Sequence, residues 1–281
     1  MKQLVIPALF FITLNVFSQS PWTKNKNEGY IQASFTTIGS YDKIYGNPDY
    51  KPQREITDNT LQLYGEYGVT DKTTLFANIP LKMVKTGDFT EDMSVIFPSF
   101  TIDEASETLL GNIQLGIKHN FYNNKWLLSG QLSIEANTST YKENSGLRSG
   151  YDAWTFTPLF LTGRGFDSWY IQAFTGFDIR TNDYSSNYKL GGEIGYKALN
   201  WLWIAGFLDG VASLKNGDVV LPQENVATGL YVDNQSYAAF GFKFIGEFNK
   251  SFGVNIGFGG AFAGRNVAKA PALSFGLYHK F

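Results

Sequence analysis

Ten charged residues recur at alternate positions of largely apolar segments, where they could line a water-filled path through a β protein. They are Glu66, Lys82, Lys118, Glu135, Asp178, Arg180, Glu193, Lys197, Lys243 and Glu247. Positive and negative residues occur together, so two roles are open for them. The side chains could pair with one another and satisfy charges held away from water. They could instead form a charged constriction that selects among passing solutes.

Catalysis would need a base near these groups, and histidine is the usual candidate. The chain has two histidines, His119 and His279, and both fall on the apolar face of their segments. The 281 residues include no cysteine, which excludes disulfides and a lipid anchor on cysteine and leaves few ligands for a transition metal. We therefore predict no enzyme activity, no cofactor and no metal site.

The segments that carry the charges alternate apolar and polar residues with a period of two, which is typical of β-strands with two different faces. In 126–137, for example, Trp126, Leu128 and Leu132 oppose Ser129 and Gln131. We predict twelve such strands, each long enough to cross a bilayer at a tilt. Their ranges are 29–38, 58–68, 73–84, 108–121, 126–138, 152–163, 169–180, 188–198, 201–212, 236–248, 252–263 and 271–281. The fold class is therefore all-β, a single transmembrane antiparallel β-barrel.

The connections alternate between short and long. The short ones are 69–72, 122–125, 165–168, 199–200 and 249–251, and the long ones are 39–57, 85–107, 139–151, 181–187, 213–235 and 264–270. Outer-membrane barrels have short periplasmic turns and longer extracellular loops. Trp126, Trp169 and Trp201 lie beside short turns, as an aromatic girdle at the membrane surface would.

The beginning of the chain has the layout of a secretory signal. Lys2 precedes a mostly apolar run, 4–17, and Val16 and Ser18 suit a cleavage site. We predict a signal peptide over 1–18, cut between residues 18 and 20, and a single barrel domain over 21–281. No later run approaches the roughly 20 apolar residues of a membrane helix. The mean hydropathy of −0.16 suits a barrel, which hides its lipid face in alternate residues.

The last strand carries a second signal. Leu273, Phe275, Leu277 and Phe281 share one face, and the chain stops at Phe281. This pattern resembles the C-terminal assembly signal of bacterial outer-membrane barrels. It implies the outer membrane of a Gram-negative bacterium, with membrane lipid, lipopolysaccharide and the barrel-assembly machinery as partners. The formal charge of −2 gives no excess of positive charge with which to bind nucleic acid.

Two hairpins carry a family resemblance. The segment 63–75, LYGEYGVTDKTTL, followed by Ile79-Pro80, resembles a hairpin of the MetA-pathway of phenol degradation family. The segment 110–119, LGNIQLGIKH, resembles the strand that follows, with Asn112 where the family has aspartate. Members of that family are outer-membrane transporter-like barrels. The resemblance implies transport, and the family name suggests aromatic compounds.

Three functions are compatible with these features. We favour a porin-like channel or transporter for small solutes, hydrophobic or aromatic ones among them. The alternative is a non-conducting structural or adhesion barrel. A lipid-modifying enzyme is the least favoured, because of the histidine positions. The apolar segment 93–100, MSVIFPSF, is unusual for a solvated loop, and it either folds inward as a partial plug or packs against the barrel rim.

Overall fold

The computed structural model describes residues 19–90 and 100–281, which form one closed antiparallel barrel of twelve strands. The strands are β1 (Gly29–Tyr41), β2 (Arg54–Thr70), β3 (Thr73–Phe89), β4 in two segments (Ala105–Leu110 and Gln114–Asn123), β5 (Leu127–Glu135), β6 (Thr155–Gly165), β7 (Trp169–Arg180), β8 (Asn187–Leu199), β9 (Leu202–Ser213), β10 (Ser236–Glu247), β11 (Phe252–Arg265) and β12 (Ala272–Lys280). The predicted fold class and strand number are confirmed. The predicted signal peptide, 1–18, and residues 93–99 of the apolar segment lie outside the described residues.

The barrel is closed by a seam between its first and last strands. Each strand pairs with the next along the chain, and β1 also pairs with β12. The seam keeps its register from Tyr30, opposite Lys280, to Ile38, opposite Ala272. Closure leaves no strand edge with unpaired backbone groups, which is the condition for β-structure in lipid.

A bulge interrupts β4. Leu110 lies opposite Leu81 and Gln114 lies opposite Asn78, so β4 has one residue more than β3 between these two pairs. Pro80 of β3 faces the bulge and has no N–H to offer a neighbouring strand. Its carbonyl still accepts a hydrogen bond from the Gly111 N–H, with the nitrogen and oxygen 2.9 Å apart.

Side chains alternate between the lumen and the exterior. In β1, Gln32 and Ser34 are buried inside the barrel, whereas Ile31 and Phe35 are 42% and 39% exposed on its outer surface. Large apolar residues are exposed in the same way around the whole barrel, among them Leu61, Leu75, Leu115, Leu132, Phe160, Ile194, Leu208, Phe244, Ile256 and Leu273. Such a continuous apolar surface is unfavourable in water and suits contact with lipid.

Of the strands that are longer than predicted, β2 and β3 differ most from their predicted ranges. β2 covers 54–70 rather than 58–68, β3 covers 73–89 rather than 73–84, and the predicted loops 39–57 and 85–107 shrink accordingly. Toward these ends of the two strands the inner face becomes apolar and the outer face polar, because Ile56 and Val84 are buried inside while Lys85 is exposed outside. A strand with a polar outer face and an apolar inner face suits a position in water. A prediction that requires apolar residues on the outer face therefore ends such a strand too early.

The apolar interior at the long-loop end belongs to a cluster that we call the roof. The roof joins side chains of β1, β2, β3 and β12 to residues of the long loops. Its buried members are Ile38, Tyr41, Ile44, Ile56, Val84, Leu147, Leu230, Ala270 and Ala272. Ile44, Ile56 and Leu147 are completely buried, so the roof is packed like the core of a soluble protein.

Short elements hold the long loops in place above the barrel. The two-residue strand Ile44–Tyr45 pairs with Val267–Ala268, and Tyr141–Lys142 pairs with Leu147–Arg148. The loop between β9 and β10 contains a six-residue helix, α1 (Gln223–Thr228). Within 19–90 and 100–281, no helix is long and apolar enough to cross a membrane.

The helix is tied to the neighbouring loop by one buried amide. The Asn225 side chain is fully buried; its Oδ1 accepts a hydrogen bond from Arg148 Nε at 3.1 Å, and its Nδ2 donates to the Leu230 carbonyl at 2.8 Å. Leu230 is a member of the roof. The polar contacts of α1 therefore fix the position of an apolar roof residue.

Candidate functional site

The lumen contains a chamber of about 280 Å³ that borders on the roof. Tyrosine rings from the strands and loops line it, namely Tyr41, Tyr151, Tyr231 and Tyr237. The charged residues of its wall are Asp58, Lys82, Glu135, Asp178, Arg180, Lys189 and Asp209. The chamber wall thus combines aromatic surface with many charged and polar groups.

Residues 19–28, which we call the strap, cross the lumen at the short-turn end before β1 begins. The Pro21 carbonyl accepts a hydrogen bond from Ser129 Oγ at 2.6 Å, and the Trp22 ring packs edge-on against Tyr170, with ring centres 5.7 Å apart. Gly163 lies directly below, where a Cβ would stand 2.7 Å from Pro21 Cγ. The strap starts at the chamber, because Gln19 is part of the chamber lining.

A buried carboxylate anchors the middle of the strap. Glu66 forms ion pairs with Lys118 at 3.2 Å and with Lys24 of the strap at 3.3 Å, and it accepts a hydrogen bond from the Tyr64 hydroxyl at 2.8 Å. Lys118 is completely buried and also donates to the Trp22 carbonyl at 3.4 Å. One acidic side chain thus joins two strands of the wall to the strap.

The ten charged residues predicted from the sequence all point into the barrel, and most of them form ion pairs there. Lys82 Nζ lies 2.5 Å from Asp58 Oδ1, Glu193 pairs with Lys243, and Lys280 Nζ lies 2.9 Å from Glu247 Oε1. Asp178 pairs with Lys189 at 3.4 Å and with Arg180 at 3.8 Å. A lumen network of ion pairs is therefore present, and selection of solutes by these charges stays a prediction.

Two of the predicted charges have different surroundings. Lys197 lies over the Trp203 ring, 5.6 Å from its centre. Glu135 accepts a hydrogen bond from Gln114 Nε2 at 3.3 Å, and none of the described Lys, Arg or His side chains comes within 4.0 Å of its carboxylate. Glu135 is thus a chamber carboxylate without a direct ion pair in the part of the chain that the structure describes.

Glycines let aromatic rings lie flat against the lumen wall. The Phe76 ring covers Gly116 on the neighbouring strand, where a Cβ would stand 2.2 Å from Phe76 Cζ. The Phe174 ring covers Gly191 in the same way, at 2.4 Å. A larger residue at either glycine would push the ring toward the lumen axis, so these glycines help to set the free width of the lumen.

The histidines lie on the outer surface, as their parity predicts. His119 Nδ1 is 2.9 Å from Thr73 Oγ1, and the ring of His279 stacks on Phe252 with centres 4.3 Å apart. Among the described residues, no group of three or more His, Cys, Asp or Glu side chains is placed to hold a metal ion.

The residues of the predicted assembly signal share the outer face of β12 and its end. Leu273, Phe275, Leu277 and Phe281 are between 48% and 62% exposed. They are therefore accessible to lipid or to a partner, and their role in assembly stays a prediction.

One ion pair connects two loops outside the roof. Lys269 Nζ donates to Asp49 Oδ2 at 2.6 Å, and the Gly46 N–H donates to Asp49 Oδ1 at 3.3 Å. These hydrogen bonds hold the pKa of Asp49 below its ordinary value, and the same contact raises the pKa of Lys269.

A tyrosine forms the border between the loops and the chamber. The Tyr151 hydroxyl donates to Gln235 Oε1, and the Arg180 guanidinium lies 3.9 Å from the centre of the Tyr151 ring. Burial raises the pKa of Tyr151 to about 12, so its hydroxyl stays neutral and available as a donor.

The comparison with solved structures assigns the fold to the class of outer-membrane β-barrels. The KdgM porin has a TM-score of 0.52 at 8% identity, over 90% of this chain and 99% of that chain. The translocator domain of the autotransporter NalP from Neisseria meningitidis has a TM-score of 0.52 at 10% identity, over 92% and 90%.

Within that class, one likeness extends over nearly the whole chain. The COG4313 outer membrane channel from Pseudomonas putida F1 has a TM-score of 0.71 at 15% identity, over 96% of this chain and 100% of that chain. At such identities the likeness is one of fold. No protein-family model matches the chain, and no curated protein matches it in sequence.

Several residues of the site were not predicted from the sequence. Asp58 and Lys189 share the inward parity of Glu66 and Glu193 on their own strands, so the same pattern could have found them. Asp209 lies on β9, for which no lumen residue was predicted. The strap gave no such signal, because 19–28 has no period of its own. The sequence suggested 93–100 as a segment that folds inward or packs against the rim, and this stays a prediction because 93–99 lie outside the described residues.

Proposed function

We propose that the protein is an outer-membrane channel for small solutes, in which the chamber lies midway along the solute path. The observation that carries this proposal is a closed barrel with an apolar exterior and a polar, partly empty lumen. Structural barrels of eight strands fill their interior with side chains, whereas twelve strands enclose more space. The space here remains as a chamber between the strap and the roof.

The strap and the roof act as two closures in series. The strap is held by hydrogen bonds and ion pairs, which water can replace one at a time. The roof is held by apolar packing between loops. Solute passage then requires movement of loop or strap segments, while the hydrogen-bonded wall stays intact.

The test is single-channel recording of the refolded protein in a planar bilayer with potassium chloride. We expect small, discrete openings for the full chain and larger ones for a variant that lacks residues 21–27 of the strap. Ion selectivity of the larger openings reports on the lumen charges. A folded barrel that never conducts, with or without the strap, would refute the channel and favour a structural barrel.

Three finer features belong to the same proposal. We propose membership of the MetA-pathway of phenol degradation family, supported by the segments 63–75 and 110–119.

We propose maturation by removal of residues 1–18, and insertion through the barrel-assembly machinery into a membrane of lipid and lipopolysaccharide. We propose transport rather than catalysis, supported by the placement of both histidines on the outer surface.

A further inference from the structure

Buried polar groups without a complete set of hydrogen bonds lie on both sides of the chamber. On the side of β3 and β4 they are the amide oxygens Asn78 Oδ1 and Asn112 Oδ1. On the side of β5, β6 and β7, three residues keep polar groups that the described residues do not fully satisfy. These residues are Glu135, Thr155 and Arg180, and we call them the polar row.

The polar row is continuous across three neighbouring strands. Thr155 lies in register with Glu135 of β5 and with Arg180 of β7. Adjacent strands are about 4.8 Å apart, so the two outer backbones of the row are separated by about 10 Å. All three residues belong to the chamber lining. A single small molecule could therefore touch the whole row.

Each residue of the row lacks part of its hydrogen bonding. Thr155 is 2% exposed, and neither its Oγ1 nor Arg180 Nε has a hydrogen-bond partner among the described residues. The rest of the Arg180 guanidinium is occupied: Nη1 donates to the Ser185 carbonyl at 3.2 Å, and the Tyr151 ring covers its face. Glu135 has the single hydrogen bond from Gln114. Buried polar groups in native proteins are normally paired with protein, water or ligand.

The chemistry of the row specifies what would complete it. A carboxylate accepts, a hydroxyl donates and accepts, and the free Nε–H donates. The chamber lining as a whole has four acidic and three basic side chains, so it presents no large excess of one sign to attract an ion. Hydroxyl groups suit all three positions, because each can donate or accept. The tyrosine rings of the chamber offer apolar surface to the C–H groups of the same molecule.

We propose that the polar row is the binding site of a small, neutral, polyhydroxylated solute such as a monosaccharide or a sugar alcohol. The proposal rests on the proposed channel function and names its substrate class. An apolar solute would leave the three groups without partners in a confined space, which disfavours its binding. The site therefore selects for hydroxyl groups within a path whose outer closure is apolar.

The test uses two measurements on the folded protein, block of the potassium chloride current and equilibrium dialysis. The probes are D-glucose, D-arabitol, glycine and benzyl alcohol. We expect glucose and arabitol to bind and to interrupt the current, and we expect glycine and benzyl alcohol to do so more weakly. Dialysis does not need an open channel, so it tests the site even where no current is seen.

Three variants connect the binding to the row. Thr155→Val keeps the shape but removes the hydroxyl, and we expect roughly fivefold weaker glucose binding, as for one hydrogen bond. Glu135→Gln should weaken it roughly tenfold, because it removes a charged acceptor. Thr162→Val makes the same change on the outer face of β6 and should leave binding unchanged. Because the Thr155 hydroxyl has no partner, Thr155→Val should fold as well as the native chain.

The outcomes separate the two proposals. Three results would overturn the sugar site while the channel stands. The first is conduction without sugar binding, and the second is tighter binding of glycine or benzyl alcohol than of glucose. The third is equal glucose binding by Thr155→Val and the native chain. Sugar binding without conduction would overturn the channel and leave a binding barrel.

Discussion

At the scale of single residues, Glu66 matters because it joins the strap to two strands of the wall. Glu66→Gln would leave Lys118 buried without its carboxylate partner, and breaking a buried pair in this way costs about 3–5 kcal/mol. We expect a lower unfolding temperature and more frequent channel opening, because Lys24 of the strap loses the same partner.

Thermal unfolding and single-channel recording check this expectation together. The matched control is Glu247→Gln, since its ion pair with Lys280 is partly exposed and contributes about 0–1 kcal/mol. If Glu66→Gln unfolds and opens like the control, Glu66 does not anchor the strap.

A second prediction at this scale concerns the Asp49–Lys269 pair and pH. The pKa of Asp49 is lowered by folding, so its contribution is present above the unfolded pKa and is lost as pH falls through the folded value, below 3.8. The pKa of Lys269 is raised, so its share is lost only as pH rises through a value above 10.5. Between these limits the two loops stay joined.

Amide hydrogen exchange reports this contact. The Lys269 N–H donates to the Lys43 carbonyl at 2.8 Å, and its protection factor should fall in acid with the protonation of Asp49. Asp49→Asn should lower the protection at neutral pH and abolish the acid step. Asp42→Asn, which removes an ion pair of 4.0 Å with Lys51, should do neither. An acid step that survives Asp49→Asn would assign it to another group.

At the scale of elements, the strap is the segment whose position matters most. The chain contains no cysteine, so a new disulfide can be placed without competition. Pro21→Cys combined with Gly163→Cys should fix the strap to β6, where a Cβ at Gly163 would stand 2.7 Å from Pro21 Cγ. We expect fewer and smaller openings in the oxidised protein and recovery after reduction, measured in one bilayer.

The two single-cysteine variants are the controls, and neither should respond to the reductant. An oxidised double variant that conducts like the reduced one would place the path elsewhere than past the strap.

At the same scale, the strands could be predicted because one physical rule governs all of them. A wall between lipid and a wet lumen imposes a period of two, and Leu128, Ser129 and Gln131 already obey it in the sequence. The rule fails where the surroundings change: Ile56 and Val84 keep the inward parity of their strands but are apolar, because they pack in the roof. The strap and the roof depend on contacts between distant segments, such as Ser129 with Pro21, which no local period encodes.

At the scale of the whole molecule, the two closures predict a non-additive response. Leu147 is completely buried in the roof, and Leu147→Ala should remove about 2–5 kcal/mol of packing. We expect a small rise in conductance from this change alone. Combined with loss of residues 21–27, the rise should exceed the sum of the two separate effects, because closures in series limit the current together.

Leu161→Ala is the matched control, since Leu161 is equally buried but belongs to the lumen wall outside the roof. It should destabilise the barrel without this synergy. Additive conductances for the roof and strap variants would show that the closures act on separate paths.

The seam between β1 and β12 has a consequence for how the molecule comes into being. It joins the opposite ends of the chain, and contacts of such long sequence separation form late and slowly. β12 is the last of the twelve strands in chain order, so the wall is complete only when β12 pairs with β1. The strap directly precedes β1 and gains an enclosed interior only when this last pairing forms. Completion of the barrel wall and the first enclosure of the strap in the lumen are therefore one event.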